Sequence, residues 1–272
     1  MAKDAFKFSG QAALDYDEYL GPILFEPYAR ELTSGLTGAQ HITEVLEIAC
    51  GTGRLTRHLY DRYKSSSRFV ASDFNTDMLN VAKQKLSGTP IEFQVQDAQK
   101  LSFADNSFDL VICQFGLMFL QDKKQGLSEA LRVLRPGGKF IFTTWDNTEN
   151  MPVHKLIFND LILPYYNNED TGRLLVPFSL HNPLLLKNWM EDAGFKQVEV
   201  KQLEIESGSP SPREVVTAFF VKHSLGLEIL SKDPVQFENI AAKMEDMLTH
   251  QFGRDNLKFM LSAFVASGEK ES

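Results

Sequence analysis

Residues Val45–Thr56 read VLEIACGTGRLT: an apolar run, two glycines separated by one threonine, then residues suited to open a helix. A strand that meets a helix through glycines gathers backbone amides and the positive end of the helix dipole at one point. Gly51 and Gly53 remove two Cβ atoms and tolerate positive φ, so a ligand can approach the main chain closely. Such a corner serves a dinucleotide, a mononucleotide or a nucleoside, and the plain alternative is an ordinary tight turn. The rest of the chain decides among them.

Outward from the corner, strand and helix patterns alternate. EVLEIAC is an apolar strand and LTRHLYDRY is helical. RFVASD is a second strand, and TDMLNVAKQKL spaces Met78, Leu79, Ala82 and Leu86 as one helix face, with Asn75 and Asp77 as candidate caps. IEFQVQD alternates with period two and ends on Asp97. SFDLVICQF is near-continuously apolar, as a strand buried on both faces is. GLSEALRVLRPGG predicts a helix stopped by proline and glycine, followed by the strand KFIFTTW. This alternation over Val45–Trp145 predicts a doubly wound α/β fold with a mostly parallel sheet. Ligands then sit outside the carboxyl ends of the strands, where the strand order reverses. The residues to watch are those ending each strand: Cys50–Gly53, Asp73, Asp97, Gln114 and Trp145.

Beyond Trp145 the pattern loosens. Met151–Tyr166 predicts a helix, NPLLLKNWMEDAGF a helix with a glycine stop, and KQVEVKQLEI a strand. Pro212–Leu230 and Pro234–Phe252 predict two helices, and NLKFMLSAFVASG a final strand. DYDEYLGPILFEPYARELT predicts an N-terminal helical appendage.

Composition narrows the partners. The formal charge of −8 disfavours the diffuse attraction on which non-specific nucleic-acid binding depends, so no nucleic-acid partner is expected. The clearest cationic cluster, Lys123, Lys124, Arg132 and Arg135, straddles a helical pattern and reads as a solvated face. Cys50 and Cys113 form neither a disulfide framework nor a zinc spacing, and they fit a reducing compartment; no metal site is expected. MAKDAFKFSG lacks the apolar core of a signal peptide, and the densest apolar run, Leu110–Leu120, is broken by Gln114. A membrane span needs about 20 apolar residues, so none is expected and the cytoplasm is the expected location.

Three comparisons of motif separate the nucleotides. A Walker-type loop requires Lys-Ser or Lys-Thr after its glycines, and none follows at that distance. A dinucleotide fingerprint places a third glycine where Thr56 stands. Asp73, about 20 residues on, suits a ribose in either case. Asp97 is a second strand-end carboxylate that dinucleotide logic does not call for. It can accept from an adenine amine while Asp73 takes the ribose diol. That pair suits an adenosine without phosphates, and S-adenosylmethionine is such a ligand.

EVLEIACGTGRLT, VASDFNTDMLNVAK, QDAQKLSFADNSFDLVICQFGLMFL and ALRVLRPGGKFIFTTW together resemble the successive motifs of class I S-adenosylmethionine-dependent methyltransferases. The likeness is to the small-molecule branch that includes the ubiquinone and menaquinone C-methyltransferases, and it covers roughly residues 40–147; the stretches AALDYDEYLGPILFEPYAREL and WMEDAGFKQVEV add weaker likeness. The resemblance implies a Rossmann-like seven-stranded sheet, mostly parallel with the last strand antiparallel, carrying an N-terminal helical appendage and helical cap insertions. It implies one domain overall: an N-terminal helical lid over 1–40, a cofactor-binding core over 41–147, and over 148–272 the remaining sheet with substrate-cap helices. It implies S-adenosylmethionine as cofactor, S-adenosylhomocysteine as product and a small-molecule acceptor.

Residue by residue, the resemblance places Glu47 where the first-motif acid orders the loop, with Ala49, Cys50, Gly51 and Gly53 lining the methionine moiety and ribose. It gives Asp73 both ribose hydroxyls, Phe74 and Met78 the borders of the adenine, Asp97 the adenine amine and Ala98 a backbone amide to the ring. Gln114 would offer its backbone carbonyl to the methionine ammonium. Ala49 departs from the glycine that many members carry there.

The place of the Asn/Asp-Pro-Pro-aromatic motif of amino-group methylation reads Gln114-Phe115-Gly116-Leu117, which disfavours that subclass. Arsenite methylation relies on extra cysteines, and catechol chemistry on an acidic metal cluster; neither stands out. The expected reaction is methyl transfer to oxygen or carbon of a small lipophilic or aromatic acceptor. The rivals are a protein or RNA methyltransferase, a non-catalytic S-adenosylmethionine-binding module and a dehydrogenase. Phe158, Leu161, Tyr165, Tyr166, Leu174, Val176 and Phe178 form either an apolar lid or cap core. His154 and His181 are the candidate bases, with Tyr165 or Tyr166 to orient them, but no catalytic residue is assigned.

Overall fold

The computed structural model of the chain describes residues 10–36, 42–166 and 171–272. Most of the signal-peptide reading, residues 1–9 and 37–40 of the expected lid, residue 41 of the expected core and residues 167–170 of the expected cap region lie outside the described residues. The chain divides into a sheet unit (Tyr28–Asp146, Pro177–Leu203, Ala263–Ser272) and a helical unit (Met1–Pro27, Asn147–Val176, Glu204–Ser262).

The seven strands are β1 (Glu44–Ile48), β2 (Arg68–Asp73), β3 (Glu92–Val95), β4 (Phe108–Gln114), β5 (Leu134–Trp145), β6 (Lys196–Ser209) and β7 (Leu257–Glu269). Their order in the sheet is β3-β2-β1-β4-β5-β7-β6. β1 pairs in parallel with β2 and β4, β2 with β3 and β4 with β5, whereas β7 runs antiparallel to β5. This is the expected Rossmann-like sheet with its last strand reversed. The order reverses between β1 and β4, so the binding crevice of such a sheet opens at the carboxyl ends of those two strands.

Burial explains why the central strands read as continuous apolar runs. Val45, Leu46, Val111 and Ile112 have no exposed surface, because helices cover the sheet. Leu55 and Leu59 of the helix Arg54–Arg62 and Leu79 of the helix Thr76–Lys85 share one core with Val45, Phe69, Ala71, Leu110 and Ile112. Helix starts follow their caps. The Asn75 side chain accepts from the amides of Asp77 and Met78, and Asp122 accepts from Gln125 to start Lys123–Val133. Asn182 caps Pro183–Ala193, which Gly194 ends at φ 106°. Asp109 ties the starts of three strands together. Its Oδ2 accepts from the amides of Thr43 (2.8 Å) and Glu44 (2.9 Å), and its Oδ1 from Arg135 (2.9 Å).

Several elements differ from the sequence expectation. The helix expected to stop at Pro136-Gly137 ends at Val133, and those residues lie inside β5. A register shift between Phe108 and Leu110 of β4 absorbs them as a bulge. β3 ends at Val95, so Asp97 sits beyond the strand, bridged to Lys100.

In the helical unit, Pro234–Phe252 forms as expected, capped by Asp233. The helix expected over Pro212–Leu230 is broken. Pro212–Val216 widens into a π-helical turn over Thr217–Val221, and a new helix, Ser224–Lys232, starts where the His223 ring accepts from the Leu225 amide at 3.2 Å. Gly226 permits the break, since a Cβ there would fall 1.9 Å from the Phe220 carbonyl oxygen. The N-terminal helix and the helix after Met151 also widen, over Tyr16–Phe25 and Lys155–Ile162. Pro22 lies in the first of these and gives up an amide there. Among the described residues no helix is long and apolar enough to cross a membrane.

Candidate cofactor site

The corner between β1 and the helix Arg54–Arg62 is held by its neighbour β2. The Cys50 amide donates to the Ser72 carbonyl at 2.9 Å, and the Ser72 hydroxyl to the Glu47 carbonyl at 3.0 Å. The Gly53 amide closes the turn on the Cys50 carbonyl at 3.0 Å. Ala49, Gly51 and Gly53 all take positive φ, at 55°, 55° and 79°. A Cβ on Gly53 would lie 3.0 Å from the Ala82 Cβ, so this glycine lets two helices approach. A Cβ on Gly51 would meet nothing within 4 Å. That open cradle, faced by backbone, is what a ligand pressed against the main chain requires.

Asp73, the last residue of β2, grips the corner. Its Oδ2 accepts from the Gly51 amide at 2.8 Å and its Oδ1 from the Asn75 amide at 2.7 Å. Burial raises its pKa, and the amides of Asn75, Gly51 and Phe74 oppose that rise. Phe74 beside it is 61% exposed, whereas Met78 is buried at the first turn of its helix. Asp97 is half-buried, and its Oδ1 accepts from the amide (2.9 Å) and side chain (3.1 Å) of Gln99. Both bonds fall on one oxygen. Ala98 is buried beside it, and Gln114 ends β4 across the strand reversal.

Glu47 is the most perturbed acid of the corner. It is 1% exposed, and its Oε2 has no hydrogen-bond partner among the described residues. Burial pushes its pKa up to about 8, the Thr56 hydroxyl opposes the rise and the charge of Asp73 adds to it. Burial also raises the thiols of Cys50 and Cys113, so neither is a nucleophile at neutral pH. The Asp73 carboxylate beside an open glycine cradle fits a phosphate-free ligand such as S-adenosylmethionine, whereas Glu47, kept largely protonated at neutral pH by burial, serves the loop rather than the ligand's charge. The arrangement has a stability consequence. Glu47 ionises near 4.5 unfolded and near 8 folded, so the stability it lends is full below 4.5 and is lost as pH rises to about 8. Glu47→Gln is expected to flatten this decline, by about 1.4 kcal/mol per pH unit within the window. Melting temperatures from pH 5 to 8 check it; parallel curves for the two proteins would refute it.

The residues that the sequence reading missed lie across the strand reversal. Phe115 takes φ 54°, and its amide donates to the carbonyl (3.2 Å) and hydroxyl (3.1 Å) of Thr143 on β5. A Cβ on the next residue, Gly116, would lie 2.3 Å from the Ala49 Cβ and 2.8 Å from the Cys113 sulfur. Their signal in the sequence is an aromatic-glycine step, Phe115-Gly116, closing an apolar strand.

Other candidates resolve differently. His154 is buried between the rings of Phe158 and Phe219, and burial drives its pKa down to about 3, so it is a neutral core residue rather than a base. His181 Nδ1 lies 2.6 Å from the Phe178 carbonyl, which holds its proton there. The Tyr166 hydroxyl donates to Glu228 at 3.3 Å, in a cluster where Arg173 grips the same carboxylate through two bonds. Phe158, Leu161, Leu174 and Phe178 are all buried. Each cation of the Lys123–Arg135 cluster has a partner: the Leu120 carbonyl, Asp192, Glu129 with Asp105, and Asp109 respectively. Among the described residues no three His, Cys, Asp or Glu side chains converge as a metal site would.

The strand order, the reversed last strand and a glycine corner without a third glycine define a class of fold: a Rossmann-like sheet of seven strands with its last strand antiparallel. Comparison with known proteins carries this further. The family described as "Methyltransferase domain" matches residues 46–142. The ubiquinone/menaquinone biosynthesis C-methyltransferase UbiE of Stutzerimonas stutzeri is 33% identical over 182 residues, 62% of this chain and 71% of that protein. Its counterpart from Pseudomonas syringae pv. tomato is 34% identical over 189 residues, 64% of this chain and 72% of that protein. The chain belongs to the S-adenosylmethionine-dependent methyltransferase family that contains these C-methyltransferases. Phosphoethanolamine N-methyltransferase 2 of Haemonchus contortus, solved with phosphomonomethylethanolamine and S-adenosylhomocysteine, shares the fold at TM-score 0.62 and 17% identity; the match covers 100% of this chain and 59% of that protein. The YcgJ protein of Bacillus subtilis shares it at TM-score 0.54 and 17% identity, over 90% of this chain and 98% of that one. The protein is thus a methyltransferase, and S-adenosylmethionine is its cofactor.

Proposed function

We propose that the chain methylates oxygen or carbon of a small lipophilic or aromatic acceptor, with the cofactor bound at the β1 corner. The observation that carries the site is the Asp73 grip on the Gly51 amide beside an open cradle. S-adenosylmethionine brings a methyl group already activated on a sulfonium, leaving S-adenosylhomocysteine after in-line displacement. The protein's task is therefore alignment, which can contribute roughly 7–11 kcal/mol.

In this reading Asp73 holds the ribose diol while keeping the corner amides in place. Asp97 takes the adenine amine through the oxygen that Gln99 leaves open, and the Ala98 amide meets the ring. Phe74 and Met78 border it. Gly51, with Ala49 and Cys50, clears room for the methionine chain, and Gly53, whose missing Cβ admits Ala82, lines it through its backbone. The Gln114 carbonyl receives its ammonium, and Glu47 steadies the loop from below. No side chain of the chain is assigned as a base, since one is required only when the acceptor must shed a proton. Recognition of the acceptor is assigned to the N-terminal helices over Gln11–Ser34 and to the described part of the region 148–272.

The relatives support a carbon acceptor of lipophilic character, because their names place them in ubiquinone and menaquinone biosynthesis. The test is incubation with methyl-labelled S-adenosylmethionine and a fractionated metabolite extract. Label is expected in the organic phase, in a compound of low molecular mass. Label found only in protein or RNA would overturn the acceptor class.

A further inference from the structure

Three aromatic side chains of the sheet unit meet behind the carboxyl ends of β4 and β5. Phe115, just past β4, stacks on Trp145, the last residue of β5, with ring centroids 3.8 Å apart and planes 7° apart. Tyr28, from the helix Glu26–Ser34, stands edge-on to both, at 5.2 Å from Phe115 and 5.3 Å from Trp145. Its hydroxyl donates to the Leu203 carbonyl at 3.1 Å, which fixes the ring in its own plane. All three are buried.

The trio surrounds a residue whose backbone needs support. A phenylalanine at φ 54° persists only where its surroundings over-determine it. Here the single amide N–H shared between the Thr143 carbonyl and hydroxyl, and the face and edge of two rings, do so. The conformation has a consequence: it turns the chain back at the end of β4 and lays Gly116 onto Ala49. No Cβ fits between them, since one built on Gly116 falls 2.3 Å from that of Ala49. Ala49 is itself left-handed and leads directly into Cys50 and Gly51. The two strained residues thus brace one another across the reversal of strand order, where edge-on and stacked rings supply directional support.

We propose that Tyr28, Phe115 and Trp145 form a clamp that shapes the cofactor corner through the contact of Gly116 with Ala49. Tyr28 and Trp145 are then positioning residues for S-adenosylmethionine. The proposal rests on the assignment of the cofactor to the β1 corner.

The test is a double-mutant cycle read by calorimetric titration with S-adenosylmethionine. Trp145→Leu is expected to weaken binding about tenfold. In an Ala49→Gly background the same change should cost less than threefold, because glycine holds a positive φ unaided and gives Gly116 no Cβ to bear on. A purely packing role would lower the melting temperature without this rescue. Equal losses in both backgrounds, or unchanged affinity in Trp145→Leu, would overturn the clamp. Tyr28→Leu, taken through the same cycle, is read in the same way should Trp145→Leu not fold. Asp73→Ala, titrated alongside, separates the two ideas: if it leaves affinity unchanged the corner assignment itself fails, and if it weakens binding while the cycle shows no coupling only the clamp does.

Discussion

Replacing Asp73 by alanine is expected to weaken S-adenosylmethionine binding by at least tenfold. In the proposed site this carboxylate takes both ribose hydroxyls, and hydrogen bonds to a charged group contribute about 1.5–3 kcal/mol each. Two such bonds exceed the roughly 1.4 kcal/mol that corresponds to tenfold. The same change removes the acceptor of the Gly51 and Asn75 amides, so the corner loosens as well. Asp73→Asn retains an acceptor oxygen while surrendering the charge, and an intermediate loss is expected. Calorimetry on folded variants measures both. An unchanged affinity in Asp73→Ala would remove the ribose assignment.

The second large effect is a loss of stability in acid that originates in the helical unit. Burial depresses His154 to about 3 and His223 to about 4, against 6.5 for a free imidazole. Unfolding exposes both rings, which then take up protons that the native protein refuses. The contribution of each is present above pH 6.5 and declines as pH falls through the window down to its folded value. The slope is about 1.4 kcal/mol per pH unit for each ring, large against a typical total stability of about 5–15 kcal/mol. His154→Phe should flatten the decline, as the site is already walled by Phe158 and Phe219. His223→Asn should do so while keeping an acceptor for the Leu225 amide. Denaturation between pH 7 and 4 checks this; variants with the wild-type slope would contradict it.

What could be read from the sequence was what periodicity and end signals encode. The central strands announced themselves because residues such as Val45, Leu46 and Val111 are buried on both faces. Helix starts were legible at Asn75 and Pro234, where cap and proline stand in sequence order. Asp73 was legible as a strand-end charge that needs a partner, and it finds the amides of Gly51 and Asn75. Backbone conformation was not. Nothing in the letters of Ala49 and Phe115 betrays positive φ, since both rely on contacts far away in sequence, with Gly116 and with Trp145 and Tyr28. The break at His223 was hidden for a similar reason. The apolar spacing runs through it, and only the approach of Gly226 to the Phe220 carbonyl explains it. The π-helical stretches were read only as helices, because apolar spacing does not separate a helix from its widened form.

The central claim, that the two-glycine corner is the cofactor cradle, is tested most directly at Gly51. Asparagine tolerates left-handed backbone, so Gly51→Asn preserves the turn at φ 55° while placing a side chain in space where no protein atom lies within 4 Å of a Cβ. Titration of the two proteins with S-adenosylmethionine is predicted to show one saturable site in the wild type. In the variant binding should be weakened at least a hundredfold, with the melting temperature of the free protein nearly unchanged. Equal affinity in the two proteins would contradict the account.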